Sequence, residues 1–270
     1  MTAERQAPGW LRELTAALGG TPVPPVLRPP PGQGRRSAIL VLFGHGAPAA
    51  QEDGERAPGG GQPAGGNGDP DLLIIQRRPG LRRHGGQPAF PGGAIEPADP
   101  SPEQAALREA AEEVGLDPSG VDVIGTAPEL YISRSGFRVV PVLGWWRRPV
   151  AVRPADPAEV AAVARVPVSE FADPANRLVV RHPSGASGPA FQVRGMLVWG
   201  FTAALVSMLL TLGGWERPWD TGRIEDLPAE ALAAATPADT ATTPAATATA
   251  PADGGSGTPA RGGNGTVDAG

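Results

Sequence analysis

The sequence predicts one α/β domain that spans residues 8–220. Short apolar runs of strand-like composition alternate with segments in which apolar residues recur at helical spacing. Residues 221–270 differ, because Ala, Thr, Pro and Gly dominate them and large apolar side chains are scarce. Such a segment buries too little apolar surface to offset its conformational entropy. We therefore expect a folded domain followed by a disordered tail at 221–270.

The first predicted elements are a helix and a hairpin. Runs 37–43 and 71–76 are apolar and indicate two buried strands. Residues 44–70 between them are rich in Gly, Ala and Pro and predict a flexible loop that lengthens the hairpin. Before this hairpin, residues 9–18 predict a short amphipathic helix from the apolar spacing of Trp10, Leu11, Leu14 and Leu18.

The later elements are strands and an apolar helix. Residues 121–126 and 137–146 have strand-like composition, and two short strands flank a turn at 183–188. The apolar run Met196–Gly214 has about the length that a bilayer span needs, roughly 20 residues. Polar residues at 202, 207 and 211 interrupt it, so we favour a buried core helix over 196–212.

Composition and charge exclude several classes of function. The chain has 270 residues and no cysteine, which excludes a disulfide framework, a thiolate metal site and a cysteine nucleophile. The formal net charge is −5, so no global basic field would recruit nucleic acid. The first residues lack a basic start followed by an apolar stretch. We expect a cytoplasmic protein without a membrane or nucleic-acid partner, and a homodimer remains open.

The segment "SPEQAALREAAEEVGL", residues 101–116, predicts a helix with strong boundaries. Ser101 is suited to cap its N-terminus, Pro102 suits the first helical position and Gln104 completes a capping box. Gly115 is the expected C-terminal stop. The buried stripe is expected to include Leu107, Ala110 or Ala111, and Val114.

Three carboxylates crowd one side of this helix. Glu112 and Glu113 follow Glu109 by three and four positions, so all three are expected to project together. Arg108 precedes Glu112 by four residues and is placed to hold that carboxylate. The pattern alone fits a solvated helix face. It also fits a site for a hard cation such as Mg²⁺, which takes oxygen ligands and bridges to phosphates.

The residues before the helix favour the cation site. "FPGG", residues 90–93, contains two glycines that allow a backbone to approach a ligand closely. A glycine-rich loop that leads into a carboxylate helix is what a metal–diphosphate site requires.

This arrangement resembles the Nudix box, a loop–helix–loop motif of diphosphate hydrolases. The residues in register are Gly93, Arg108, Glu109, Glu112, Glu113, Gly115 and Leu116. The spacing from glycine to arginine is one residue longer than usual. Counting from Gly93 places the first acidic position at Asp99, and counting back from Arg108 places it at Pro100. Asp99 is therefore expected to stand in for the first glutamate.

The longer spacing and an upstream motif resemble one subgroup, the coenzyme A pyrophosphatases. In "RRPGLRRHGGQPAFPGG", the residues in register are Arg77, Arg82, Gly86, Phe90, Pro91, Gly92 and Gly93, with Leu81, His84 and Gln87 as common members. The sequence departs at Arg78, where Ser or Ala is expected, and at Ile75, where Thr is usual. Including later segments, the resemblance covers residues 35–215.

The resemblance implies an α/β/α sandwich on a mixed sheet and hydrolysis of a diphosphate with Mg²⁺ or Mn²⁺. For coenzyme A, the products would be 4′-phosphopantetheine and adenosine 3′,5′-bisphosphate. Glu109 and Glu113 are the expected principal metal ligands, and Glu112 a further or water-mediated one. Arg108 is expected to orient the glutamates, and Gly92 and Gly93 to line the substrate site.

Two assignments have an ordinary alternative. Glu159 is a candidate general base, as are the helix glutamates, but it also suits the first turn of a helix. The cluster formed by Arg77, Arg78, Arg82, Arg83 and His84 fits solvated surface or phosphate binding. We expect Arg77, Arg82 and His84 to bind substrate, and Arg78 and Arg83 to be surface residues.

Three functions remain open from the sequence. The leading hypothesis is hydrolysis of coenzyme A or its acyl derivatives. A second is hydrolysis of another nucleoside diphosphate derivative, such as ADP-ribose. The third is a non-catalytic nucleotide-binding module, which the presence of all three helix glutamates disfavours.

Overall fold

The structure is a computed structural model and describes residues 6–45, 69–81, 84–133 and 135–233. Most of the predicted flexible loop at 44–70 therefore lies outside the described residues. The same holds for residues 234–270 of the predicted tail.

Groups of strands separate the helices along the described chain. The helices are α1 (Gly9–Gly20), α2 (Pro102–Val114), α3 (Val168–Ala172), α4 (Gly200–Leu212) and α5 (Ala229–Ala233). The strands are β1 (Arg35–His45), β2 (Pro70–Arg77), β3 (Pro88–Ala89), β4 (Gly92–Ala94), β5 (Val121–Thr126), β6 (Leu130–Ile132), β7 (Phe137–Trp146), β8 (Val160–Pro167), β9 (Arg177–Arg181), β10 (Ser187–Val193), β11 (Met196–Val198) and β12 (Ile224–Asp226).

The central sheet is mixed, as expected. Its main path is β3-β2-β1-β7-β5, and β8, β4 and β6 pair with β2, β1 and β7 respectively. β1 and β7 run parallel, whereas β1 and β2 are antiparallel, with Phe43 opposite Leu72. The predicted pairing of the two strands that flank the 44–70 segment is confirmed.

Alternating side chains of the central strands fill two separate cores. Ala38, Leu40 and Leu42 of β1 pack with apolar residues of α2, whereas Val41 and Phe43 pack with α1 and α4. The period of two along a strand produces this division, because successive side chains point to opposite faces. The sheet thus lies between α2 on one face and α1 with α4 on the other, which confirms the α/β/α sandwich.

The amphipathic pattern of α1 is confirmed. Leu11, Leu14 and Leu18 are fully buried. The Trp10 ring meets Phe43 edge to face, with 5.3 Å between ring centroids. Helix α1 is therefore fixed to the sheet along its apolar stripe.

A second sheet has the order β11-β10-β9-β12. Its β9–β10 hairpin is the one predicted around residues 183–188, with Val180 opposite Gly188. Strand β12 pairs parallel with β9, and Leu227 after it is buried. The predicted boundary at residue 220 is therefore wrong. Backbone pairing orders residues 224–226, and such pairing does not require an apolar composition.

The apolar segment at 196–212 is not entirely helical. Residues 196–198 form β11, which pairs with β10 through a two-residue turn at Arg194 and Gly195. Both turn residues have positive φ, 50° and 70°, as a tight hairpin requires. Helix α4 begins at Gly200, and its Leu205, Leu209 and other apolar residues are buried in the core. Across the described ranges, no helix is long and apolar enough to cross a membrane.

Candidate active site

The limits of α2 follow its sequence signals. Ser101 Oγ accepts a hydrogen bond from the Gln104 amide at 3.4 Å, and Pro102 is the first helical residue. Gly115 ends the helix in the left-handed conformation, at φ 68°. The helix packs its buried alanines against β1 and thereby brings its glutamates next to β4.

Glu113 is the buried carboxylate of the site, with a side chain only 4% exposed. Its Oε2 accepts a hydrogen bond from the Gly92 amide at 3.0 Å, and its Oε1 lies 3.5 Å from Arg77 Nη1. Burial raises the pKa of Glu113 to about 7, although the Gly92 amide and Arg77 favour the ionised form. The protein thus keeps a carboxylate in a place where its negative charge is poorly solvated.

Glu109 lies directly against residues 90–93, called the glycine loop below, in which Gly92 and Gly93 begin strand β4. A Cβ atom at Gly93 would collide with the Glu109 carboxylate, and one at Gly92 with the Ala38 carbonyl oxygen. The Glu109 side chain is 17% exposed, and burial raises its pKa, with Arg108 acting in the opposite direction. The two glycines of "FPGG" are therefore needed for close packing of the loop between β1 and α2.

Arg108 organises the acidic residues around it. Its Nε and Nη2 donate to the two carboxylate oxygens of Asp99, both at 3.0 Å, and Nη2 also donates to the Ala94 carbonyl at 3.1 Å. Its Nη1 lies 3.1 Å from Glu109 and 3.2 Å from Glu112. The hydrogen bonds from Arg108 lower the pKa of Asp99, and Asp99 raises that of Arg108. Asp99 is thus the main partner of the Arg108 guanidinium, and its role as the first acidic residue of the motif stays a prediction.

The three helix glutamates do not share one environment. Glu112 is 60% exposed and pairs with Arg108, whereas Glu109 and Glu113 face the glycine loop. Among the described residues, no group of three or more acidic or histidine side chains is already placed to hold a metal ion. The three-glutamate ligand set therefore stays a prediction.

The donor chemistry of Glu109 and Glu113 nevertheless fits a divalent cation. Both are carboxylates with raised pKa values, mainly because of burial, and the negative charge of Glu109 also raises the pKa of Glu113. Hard cations prefer carboxylate oxygens, and a cation between these groups would compensate their charge. Glu109 and Glu113 are the residues that would hold it.

Glu159 lies near this pair but not in a helix. It is the last residue of a turn that Asp156 closes and that leads into β8, so the alternative of a first-turn helix glutamate is wrong. Its side chain is 51% exposed, and Oε2 lies 3.9 Å from Arg77 Nη2. Arg77 thus contacts both Glu113 and Glu159, and after burial the charge of Glu159 is a further cause that raises the pKa of Glu109 and Glu113.

The basic cluster divides into residues with different neighbours. Arg77 lies between Glu113 and Glu159, whereas Arg78 is exposed and donates to the Pro157 carbonyl at 2.7 Å. Arg82 and Arg83 lie outside the described residues. His84 has φ 54°, and its Nδ1 is 3.0 Å from Gln87 Oε1. The sequence contained no signal for the contact of Arg78, because its partner is distant in the chain.

Comparison with known proteins identifies similar sequences. Residues 64–183 match a family model described as the NUDIX domain. An uncharacterized Nudix hydrolase NudL of Cronobacter sakazakii is 42% identical over 148 residues, which are 52% of this chain and 74% of that protein. The NudL of Escherichia coli strain K12 is 40% identical over 147 residues, which are 52% of this chain and 73% of that protein.

A solved structure is also similar. The Nudix hydrolase RenU of M. smegmatis superposes with a TM-score of 0.43 at 19% identity, and the match covers 71% of this chain and 99% of that one.

Proposed function

Because the chain belongs to the Nudix hydrolase family and is a pyrophosphohydrolase, we propose that it cleaves the diphosphate bond of coenzyme A or its acyl derivatives. The products are 4′-phosphopantetheine, or its acyl form, and adenosine 3′,5′-bisphosphate. The Cys-free composition suits a reducing compartment, so the cytoplasm is the proposed location.

The observation that carries this proposal is the contact between Arg77 and Glu113. Arg77 is the first arginine of the upstream motif that resembles the coenzyme A pyrophosphatases, and Glu113 belongs to α2, the helix of the Nudix box. The 3.5 Å contact brings the two motifs into one site. A guanidinium is suited to phosphate oxygens, and coenzyme A carries a 3′-phosphate in addition to its diphosphate. Arg77, with Arg82 and His84, is proposed to bind the substrate.

Divalent Mg²⁺ or Mn²⁺ is the proposed cofactor, held by Glu109 and Glu113 with Glu112 as a further or water-mediated ligand. When bound, the cation polarises the diphosphate and lowers the pKa of a water molecule. Arg108 keeps Glu109 in place through their 3.1 Å contact while Asp99 holds the guanidinium. The glycine loop at Gly92 and Gly93 lines the substrate site next to Glu109.

The reaction requires a group that accepts a proton. The water oxygen forms a new bond to phosphorus, the bridging P–O bond breaks, and the water proton passes to a carboxylate. Glu159 is the proposed acceptor because it is half exposed yet within the electrostatic reach of Glu113. The helix glutamates are the alternative acceptors.

The test is a substrate panel with and without Mg²⁺. Coenzyme A and ADP-ribose are incubated with the enzyme, and products are separated by chromatography. Production of adenosine 3′,5′-bisphosphate only with the cation supports the proposal, and preferential cleavage of ADP-ribose contradicts the substrate assignment. Absence of hydrolysis across a broad panel would instead favour a nucleotide-binding module.

Two variants test the ligand assignment. Glu109→Gln and Glu113→Gln each remove one carboxylate at nearly constant shape, so we expect a loss of at least about 100-fold in kcat. Retained turnover of Glu113→Gln at saturating Mg²⁺ contradicts the assignment. Glu112→Gln, which alters a largely exposed side chain, is expected to lose less.

A further inference from the structure

The turn that carries Glu159 is tied to the end of β2 by one residue, Arg78. The backbone amide of Arg78 donates to the Glu159 carbonyl at 2.7 Å. Its Nη1 donates to the Pro157 carbonyl, also at 2.7 Å. A main-chain and a side-chain hydrogen bond from Arg78 therefore hold two positions of the same turn.

The regular pairing of β2 with β8 is interrupted next to this turn. Gln76 of β2 is opposite Ala162, but Arg77 is opposite Val160, so β8 advances by two residues where β2 advances by one. A bulge of this kind bends a strand and redirects its side chains. Val160 and Val163 consequently pack in the same core although they are three residues apart. On the other side of the bulge, the two hydrogen bonds of Arg78 keep the end of β2 attached to the 156–159 turn.

The other end of the segment is attached to α2. The Ala155 amide donates to the Glu113 carbonyl at 2.9 Å, and the Arg153 amide donates to the Val114 carbonyl at 3.2 Å. The segment 153–159 thus connects the C-terminal end of α2 to the end of β2. Its backbone attachments decide where Glu159 lies relative to Glu113.

The side chain of Glu159 contributes little to its own placement. Its ion pair with Arg77 is long, 3.9 Å, and half exposed, and such pairs are weak and screened by salt. The 2.7 Å bond from Arg78 to Pro157 is shorter and directed at the backbone. A Ser or Ala at position 78 is too short to make it.

We propose that Arg78 is a positioning residue for the reaction: it holds the 156–159 turn so that the Glu159 carboxylate stays beside Arg77 and Glu113. This inference rests on the proposed function, in which Glu159 accepts the proton. Arg78 acts through Glu159 and does not bind the substrate.

The kinetic test uses Arg78→Ala and Arg78→Lys in the full chain, with coenzyme A and Mg²⁺. We expect Arg78→Ala to lower kcat about tenfold with KM little changed, the effect of one lost hydrogen bond of about 1.4 kcal/mol. Lysine can also donate to the Pro157 carbonyl, so Arg78→Lys should recover most of kcat. A rise in KM at constant kcat would indicate phosphate binding and overturn the proposal.

The matched control is Arg223→Ala. Arg223 Nη1 donates to the Ala175 carbonyl at 2.7 Å, a contact of the same kind and length that joins residues just before β12 and β9 of the second sheet. Arg223 also donates to Glu225 and Gln192, so this variant removes at least as many side-chain contacts as Arg78→Ala. We expect its kcat to equal that of the wild type. A loss equal to that of Arg78→Ala would mean that removal of any such contact affects activity, and would overturn the proposal.

A double-mutant cycle separates positioning from general stabilisation. In a Glu159→Gln background, Arg78→Ala should cause no further loss of kcat, since the group that it positions is already absent. A persistent tenfold loss overturns the positioning role while leaving the proposed function intact. Full activity of Glu159→Gln alone overturns both the general-base assignment and the role of Arg78.

A structural readout is independent of the substrate. The Glu159 and Val160 amides both donate to the Asp156 carbonyl, at 3.1 and 2.9 Å. Hydrogen exchange at these two amides should be faster in Arg78→Ala than in the wild type and in Arg223→Ala. Unchanged exchange overturns the proposal even if another diphosphate, rather than coenzyme A, is the substrate.

Discussion

Replacement of Glu113 by Gln is expected to stabilise the metal-free protein at alkaline pH. The carboxyl is buried, and folding raises its pKa from the ordinary 4.5 to about 7. A glutamine side chain has nearly the same shape and still presents an oxygen to the Gly92 amide, which now donates to Glu113 at 3.0 Å. The substitution therefore removes a buried charge with little change in packing.

The magnitude follows from the pKa difference between the folded and unfolded states. Below pH 4.5 the carboxyl is protonated in both states, and its burial has no ionisation cost. As pH rises above 4.5, the unfolded state releases its proton first, so the free energy of unfolding falls until the folded state also ionises near pH 7. At 1.36 kcal/mol per pKa unit, the full loss is about 3 kcal/mol.

The assay is equilibrium urea unfolding in a chelating buffer, followed by tryptophan fluorescence, to which the buried Trp145 and Trp146 contribute with the other four tryptophans. We expect the Glu113→Gln variant to exceed the wild type by about 3 kcal/mol at about pH 8, and the difference to decrease toward about pH 4. Glu112→Gln is the control, because its side chain is 60% exposed and its removal relieves no burial. A Glu113→Gln variant that is less stable than the wild type at alkaline pH would refute the reasoning.

Addition of Mg²⁺ extends the same experiment. A ligand that binds the folded state raises the free energy of unfolding according to its concentration relative to Kd. We expect Mg²⁺ to stabilise the wild type at about pH 8 and to have much less effect on Glu113→Gln. Equal stabilisation of both proteins would contradict the assignment of Glu113 as a ligand.

Two further predictions concern packing. Gly93→Ala should lower kcat and cost about 1–3 kcal/mol of stability, because its Cβ would displace the Glu109 carboxylate. The control is Gly188→Ala, which should leave kcat unchanged because a Cβ there has no atom within 4 Å. Equal effects of the two substitutions on kcat and stability would contradict this prediction. Truncation after residue 220 should lower the free energy of unfolding by about 2 kcal/mol or more relative to truncation after residue 233, because it removes β12 and the buried Leu227. Equal urea midpoints for the two truncated proteins would show that β12 adds no stability.

Several features of the fold could be predicted because they depend on neighbouring residues. The N-terminal cap of α2 involves Ser101 and Gln104, and its end depends on the conformational freedom of Gly115. The apolar stripe of α1 repeats at helical spacing and is buried as predicted. The two predictions that were wrong both concern strand pairing. Residues 196–198 form β11 because a two-residue turn pairs them with β10, and β12 forms because it pairs with β9.

Sequence spacing determined that Glu109, Glu112 and Glu113 occupy one helix beside a glycine loop, because helical periodicity and capping are local properties. Only the tertiary structure decided which glutamate is buried. Glu113 is covered by Gly92 and Arg77, and Arg77 is 36 positions away in the chain. The place of Glu159 depends on the bulge in β8 and on Arg78, 79 positions from the carbonyl it contacts. Long-range packing, which no local pattern encodes, thus distinguishes carboxylates that the sequence presents as equivalent.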